Sequence, residues 1–226
     1  MTIRVLLADD QALVREGFRM ILDAQPDIEV VGEAGDGREA VDLTMRLLPR
    51  LVLMDVRMPN MDGIEATRRI VAGGVDTRIL ILTTFDLDEY VYAALRVGAS
   101  GFMLKDVNAQ QLVDAARVVA AGEALLAPTV TRRLLERFAG SLPGEEEHPP
   151  PSLSSLSERE LAILRLLASG LSNSELAGRL YLSEPTIKTH LSSIFRKLQV
   201  RDRVQAVIAA YDAGLVEPVG GRNSAA

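Results

Sequence analysis

The sequence has no cysteine among its 226 residues, which excludes disulfides, zinc–thiolate sites and iron–sulfur clusters. No apolar run approaches the ~18 residues that a membrane span needs. The first residues, Met1-Thr2-Ile3-Arg4, lack the long apolar stretch of a secretory signal. These absences predict a cytoplasmic protein without membrane association. An excess of positive charge is missing too. Lys and Arg number 25 against 31 Asp and Glu, a formal net charge of −6 that by itself argues against nucleic acid. What is present is a globular composition, 48% hydrophobic and 25% charged. It rules out disorder over most of the chain, and the length suits one or two domains.

The charge is unevenly spread. Residues 1–125 carry net −7, whereas residues 152–217 carry net +1. Within 185–203, Lys188, Arg196, Lys197, Arg201 and Arg203 are opposed only by Asp202. A small DNA-reading module needs such a local basic surface rather than global charge, although a solvated helix face has the same signature.

The first half alternates short apolar runs with amphipathic segments. The runs are Ile3–Ala8, Ile28–Glu33, Leu51–Met54, Ile79–Thr83 and Gly101–Leu104. They are short and rich in Val, Ile and Leu, and so predict buried strands. Between them lie helical stripes, of which Val14, Phe18, Ile21 and Leu22 form the first. Five βα units predict a parallel sheet with helices on both faces. Residues 140–155 are rich in Pro, Gly and acid and read as an extended linker, and 129–139 as a short preceding helix. The rest is helical. Ser157/Glu160 and Ser172/Glu175 fit capping boxes, Asp202/Gln205 fits more loosely, and Ser183 is an N-cap candidate with Pro185 in the first turn. Gly170 and Gly214 act as stops. The second and third helices meet at a short turn of helix-turn-helix type. The expected architecture is α/β: a doubly wound five-stranded parallel sheet followed by a small all-α four-helix domain. The boundaries are 1–121, a linker at 122–152, helices at 153–217 and a tail at 218–226.

Chemistry concentrates at strand ends. Asp9 and Asp10 end the first strand, Asp55 the third and Thr83 the fourth, and Lys105 follows the fifth. The carboxyl ends of parallel strands line a ligand crevice. Three converging carboxylates repel one another, and Mg²⁺ suits such oxygen ligands. Asp55 is then a candidate nucleophile for a phosphoryl group, with Mg²⁺ and Lys105 neutralising its oxygens and Thr83 donating a hydroxyl. Thr84 is the neighbouring alternative, but Thr83 follows the strand alternation. Taken singly, each residue has an ordinary explanation; the conjunction at four strand ends is what is specific.

With Leu6-Leu7-Ala8-Asp9-Asp10, Leu53-Met54-Asp55-Val56-Arg57-Met58-Pro59, Leu82-Thr83-Thr84 and Gly101-Phe102-Met103-Leu104-Lys105, residues 1–121 resemble the receiver domain of two-component response regulators, a flavodoxin-like fold. The resemblance implies that a sensor histidine kinase phosphorylates Asp55. It implies that Asp10, Asp55 and the Arg57 carbonyl hold Mg²⁺, with Asp9 acting through water. It places Phe102 as a switch aromatic that rotates inward when Thr83 moves toward the phosphoryl group; an ordinary buried aromatic is the alternative.

Residues 153–216 resemble the LuxR-type helix-turn-helix, so the whole chain resembles the NarL/FixJ class. The match runs through Leu156-Ser157-Glu158-Arg159-Glu160, Ser172-Asn173, Glu175-Leu176-Ala177 and Ser183-Glu184-Pro185-Thr186-Ile187-Lys188-Thr189-His190-Leu191 to Arg201-Asp202-Arg203. The sequence departs from the family where Ser193 replaces the usual Asn, Gln199 the usual Gly and Ser174 a common Lys or Arg. Independently, Ile187, Leu191, Ile194 and Leu198 form a buried stripe, leaving Thr186, Lys188, Thr189, Ser192 and Ser193 for a major groove. Ser172, Asn173 and Thr186 lie near helix N-termini that favour phosphate. His190, Arg196 and Lys197 complete the expected DNA-binding set; His190 has no second His or Cys nearby for a metal role. On the last helix, Val204, Val207, Ile208 and Tyr211 read as core. Ala206, Ala209, Ala210 and Ala213 read as a small-residue face for a DNA-binding homodimer, with two half-sites roughly 10 bp apart.

The function implied is a phosphorylation-gated transcriptional regulator that dimerises on phosphorylation and binds double-stranded DNA, with RNA polymerase as a further partner, and not an enzyme. A constitutive DNA-binding protein with a vestigial receiver is the alternative, disfavoured by the intact strand-end set. A Mg²⁺-dependent phosphatase would need an acid near the nucleophile, where Arg57 stands, and a lid insertion that the sequence lacks.

Overall fold

The computed structural model describes residues 2–84, 88–122, 125–126 and 153–216. The expected helix at 129–139, most of the linker and the tail lie outside the described residues. The chain divides into two compact units, residues 1–127 and 128–226.

In the first unit, strands β1 (Ile3–Ala8), β2 (Ile28–Ala34), β3 (Leu51–Asp55), β4 (Arg78–Thr83) and β5 (Gly101–Leu104) alternate with helices α1 (Ala12–Asp23), α2 (Gly37–Leu47), α3 (Gly63–Ala72), α4 (Asp88–Arg96) and α5 (Ala109–Ala120). The strands are those expected, to within a residue at their ends. They pair in parallel in the order β2-β1-β3-β4-β5. A two-residue β6 (Leu125–Leu126) adds in parallel to β5, beyond the expected 121 boundary. The sheet is apolar on both faces, as a covered parallel sheet must be. Val5, Leu7, Leu51, Leu53, Leu80 and Leu82 share a core with Leu22 of α1 and Leu112, Val113, Ala116 and Val119 of α5. The alternate residues Leu6, Val52, Met54, Ile79 and Ile81 are also buried. They point to the opposite face, where α2 packs on β1 and β2.

The second unit opens with a short 3₁₀ turn (Leu153–Ser155), then α6 (Glu158–Ala168), α7 (Asn173–Leu180), α8 (Glu184–Leu198) and α9 (Arg203–Asp212). Their starts are the expected ones. Ser157 and Ser172 form complete capping boxes with Glu160 and Glu175, Ser183 caps α8 with Pro185 in its first turn, and Asp202 caps α9. The stripe Ile187, Leu191, Ile194 and Leu198 is buried. Among the described residues no helix is long and apolar enough to cross a membrane.

The last helix corrects the sequence reading. Ala206, Ala209 and Ala210 lie in the helical unit's own core, with Leu164, Leu167 and Ala168 of α6, so they offer no surface to a second copy. Small side chains do permit close approach, but the helix they admit is α6 of the same chain. Ala213 is the half-buried C-cap of α9.

Candidate metal centre and nucleic-acid interface

The strand order reverses between β1 and β3, which places a switch-point crevice at the carboxyl ends of these neighbours. Asp9 and Asp10 follow β1, Asp55 closes β3, Thr83 closes β4 and Lys105 follows β5. One carboxylate oxygen from each of Asp9, Asp10 and Asp55 lies within 4.8 Å of the others. Asp9 and Asp55 are 4% and 5% exposed, whereas Asp10 is open to solvent. Lys105 Nζ bridges the buried pair, 2.6 Å from Asp9 Oδ2 and 2.9 Å from Asp55 Oδ2. Burial pushes the Asp55 carboxyl above its ordinary range. Lys105 and the Arg57 N–H pull it back, while the Asp9 charge adds to the rise. Burial also works against the Lys105 ammonium, but its bonds to Asp9 and Asp55 outweigh this and raise its pKa. Three carboxylates against one ammonium leave a formal charge of −2. An all-oxygen donor set with that charge fits a hard divalent cation such as Mg²⁺.

Neighbouring contacts fix this geometry. Asp9 Oδ1 accepts from the Gln11 N–H at 3.0 Å. The Asp9 carbonyl accepts from Arg15 Nη1 at 2.6 Å, and Arg15 Nε is held by Glu33 at 3.1 Å. Sequence patterning misses Arg15, because nothing in its spacing on α1 distinguishes it from a solvated arginine. Gly63 starts α3 against the end of β3, donating its N–H to Val56 at 2.9 Å; any Cβ there would collide with the Asp55 carbonyl. Thr83 is buried and Thr84 exposed, so strand alternation puts Thr83 inside. The Lys105 N–H donates to the Thr83 carbonyl at 2.8 Å, tying β5 to β4. Phe102 is 1% exposed, its ring already within the core. The Arg57 guanidinium lies 5.5 Å from the Tyr90 ring centroid.

In the helical unit, Lys188, Thr189, Ser192 and Arg196 of α8 are exposed, and Thr186 and His190 half-buried. Thr189 and Ser192 hydroxyls donate to carbonyls one turn back, at 3.0 Å each, and the Thr186 hydroxyl pairs with that of Ser183 at 2.8 Å. Ser172 caps its own helix through Glu175, and Asn173 Oδ1 accepts from Arg203 at 3.2 Å. Lys197, read from the sequence as a DNA contact, is exposed and places Nζ 2.7 Å from Glu160 Oε2. Glu160 is the centre of a cluster. It accepts from the Ser157 N–H and hydroxyl at 2.8 and 3.0 Å and from Ser193 Oγ at 2.8 Å. Lys197 first, then the Ser157 N–H and the Ser193 and Ser157 hydroxyls, outweigh burial and hold its carboxyl down to about 2. The capping box revealed Glu160, but its reach across to α8 depends on tertiary packing.

Comparison with known proteins matches both units. Residues 5–117 match the response regulator receiver domain family. Residues 154–210 match bacterial regulatory proteins of the luxR family. The chain is 43% identical over 216 residues to the transcriptional regulatory protein YxjL of Bacillus subtilis (strain 168), covering 95% of this chain and 98% of that one. It is 44% identical over 214 residues to the transcriptional regulatory protein LiaR of the same strain, covering 95% and 99%. Among solved structures it resembles the response regulator ChrA of a heme-sensing two-component system, with 41% identity, 95% and 99% coverage and a TM-score of 0.51. With both halves matched in order along nearly its whole length, the chain belongs to the LuxR/NarL family of response regulators, in which a receiver domain precedes a LuxR-type DNA-binding domain.

Proposed function

We propose that this response regulator is switched by phosphorylation of Asp55, and that the modification promotes homodimerisation and operator binding in the cytoplasm. The phosphodonor is a sensor histidine kinase. An Asp55 carboxylate oxygen forms the new P–O bond, the P–N bond of the kinase phosphohistidine breaks, and the imidazole nitrogen takes up a proton. Asp10, Asp55 and the Arg57 carbonyl would hold Mg²⁺, with Asp9 acting through water; when bound, the ion neutralises phosphoryl oxygens. Lys105, already against Asp55, keeps its ammonium on the arriving group, and Thr83 donates its hydroxyl to it. Thr83 movement then acts on Phe102 and the β4–β5 face. Arg57 stands where a phosphatase needs a general acid, which favours a receiver over an enzyme.

On the DNA side, α8 lies in the major groove. Lys188 donates to base edges, with Thr186, Thr189, His190, Ser192 and Arg196 around it. Ser172 and Asn173 lie at the α7 N-terminus, toward a phosphate. RNA polymerase is the partner through which the bound regulator acts. The clustering of three carboxylates at the β1/β3 switch point, two of them on one ammonium, carries the switching assignment. Acetyl phosphate with Mg²⁺ should add about 80 Da, one phosphoryl group, and Asp55→Ala should abolish the adduct. An adduct that persists in Asp55→Ala moves the nucleophile elsewhere. Equal DNA affinity with and without phosphodonor favours a constitutive binder.

A further inference from the structure

Tyr181 occupies the turn between α7 and α8, where its side chain has no role inside the molecule and its backbone takes a conformation that disfavours a large side chain. Its side chain is 95% exposed, so it adds nothing to the helical core. Its backbone is left-handed, at φ 56° and ψ 44°, a conformation that suits Gly or Asn at a helix C-terminus and strains a residue with a large Cβ substituent. Among the described residues its hydroxyl has no hydrogen-bond partner.

The turn that carries it is nevertheless rigid. The Tyr181 N–H bonds to the Ala177 carbonyl, and the Leu182 N–H reaches the same oxygen at 2.9 Å. Arg159 Nη2 donates to the Leu180 carbonyl at 3.0 Å. Leu180 and Leu182, on either side, pack against the core. The tyrosine is therefore held outward by anchored neighbours. A strained and fully presented side chain on a fixed support points to an external contact.

Its place in the chain identifies that contact. Tyr181 stands two residues before Ser183, the N-cap of α8. A recognition helix enters the major groove by its N-terminal residues, so the turn before it meets the wall of the groove, which is sugar and phosphate. Arg159, bonded to the neighbouring Leu180 carbonyl, is exposed, as are Arg179 and Lys188 on either side in the sequence; Glu184 is the exposed carboxylate closest along the chain. Tyrosine hydroxyls are among the groups that position a protein on phosphates.

We infer that Tyr181 is a backbone-contact residue of the DNA interface, its phenol O–H donating to a phosphate oxygen at the lip of the groove that α8 enters. This rests on the DNA-binding reading of α8. A phosphate contact is independent of base sequence, so a labelled duplex of arbitrary sequence is a sufficient probe. Fluorescence anisotropy with the full-length protein, after acetyl phosphate treatment, would compare wild type with Tyr181→Phe and Tyr181→Gly. Tyr181→Phe should weaken binding about tenfold, as expected for loss of a hydrogen bond to a charged group. The dependence on salt should not change, because a neutral donor releases no counterion. Tyr181→Gly should bind at least as weakly, yet melt at a higher temperature because the left-handed strain is gone. Affinity falling while stability rises separates contact from misfolding. Wild-type binding with an unchanged Tyr181→Phe overturns the phosphate contact and leaves the ring for a protein partner. Absence of wild-type binding overturns the DNA reading itself, and the tyrosine contact with it.

Discussion

Replacing Glu160 by Gln is the most direct test of how α8 is held. The carboxylate takes four donors, the Ser157 N–H and hydroxyl, the Ser193 hydroxyl and the Lys197 ammonium, and its side chain is only 6% exposed. Its pKa falls from 4.5 to about 2. At 1.36 kcal/mol per unit, the ionised form contributes about 3 kcal/mol to folding. The sign follows from linkage. A carboxyl with a depressed folded pKa contributes fully above its unfolded value. That contribution is lost as pH falls from about 4.5 toward about 2. Gln can still close the capping box, so the helix start survives, but the negative charge that faces Lys197 and Ser193 is gone. Wild type and Glu160→Gln should therefore differ near neutral pH and converge toward pH 2. Hydrogen exchange of the full chain, read on peptides within 157–200 and corrected for intrinsic pH dependence, isolates this unit from the receiver carboxylates. A gap between the two proteins that is constant from pH 7 to about 2 refutes the reasoning.

Other perturbations probe separate links. Gln199 ends α8 at φ 56°, so Gln199→Gly should stabilise the helical unit by up to about 1 kcal/mol in thermal melts; a lower melting temperature contradicts the strain. Arg15→Ala frees the Asp9 carbonyl and should weaken Mg²⁺ binding, measured by calorimetry. Arg15→Lys, which cannot hold Asp9 and Glu33 together, should rescue it only partly, and full rescue makes the role purely one of charge. Lys188→Ala should cost about 1–3 kcal/mol in operator affinity and relax specificity at one base pair; unchanged affinity removes Lys188 from the base-reading set.

Features set by local rules were legible in the sequence. The five strands follow from apolar runs bounded by polar residues, and the helix starts from Ser157, Ser172, Ser183 and Asp202, because a cap needs only its own turn. The acidic site was legible because parallel topology carries strand ends to one edge, whatever the packing. Features set by helix-to-helix contact were not. Ala206, Ala209 and Ala210 have the composition of a close-approach face, and composition does not say which helix approaches. Lys197 has the charge of a phosphate contact, but Glu160 lies 37 positions away and no spacing rule couples them. Gln199 is the reverse case. It stands where the family usually has glycine, and the positive φ that glycine suits is there.

The two pairings of a buried carboxylate with a lysine show where function resides and where it does not. Glu160 and Lys197 form a nearly balanced pair, and the carboxylate has further donors from Ser157 and Ser193. Every charge there is answered within the fold, so the pair fixes α8 and has little to offer a ligand. Asp55 and Lys105 have the same chemistry in the opposite condition. One ammonium serves two buried carboxylates with a third beside them, and burial leaves the Asp55 carboxyl raised rather than lowered. That cluster is short of positive charge by an amount that a single divalent cation supplies. Lys105→Met removes the ammonium that Asp9 and Asp55 share. It should destabilise the receiver by about 3–5 kcal/mol, the cost of stranding buried charge. Added Mg²⁺ should restore much of that loss, since the ion binds only the folded site. A Lys105→Met receiver that melts like wild type, or one that gains no more from Mg²⁺ than wild type does, would show that the deficit is already met by protonation or solvent and that the acidic edge is not built to capture a cation.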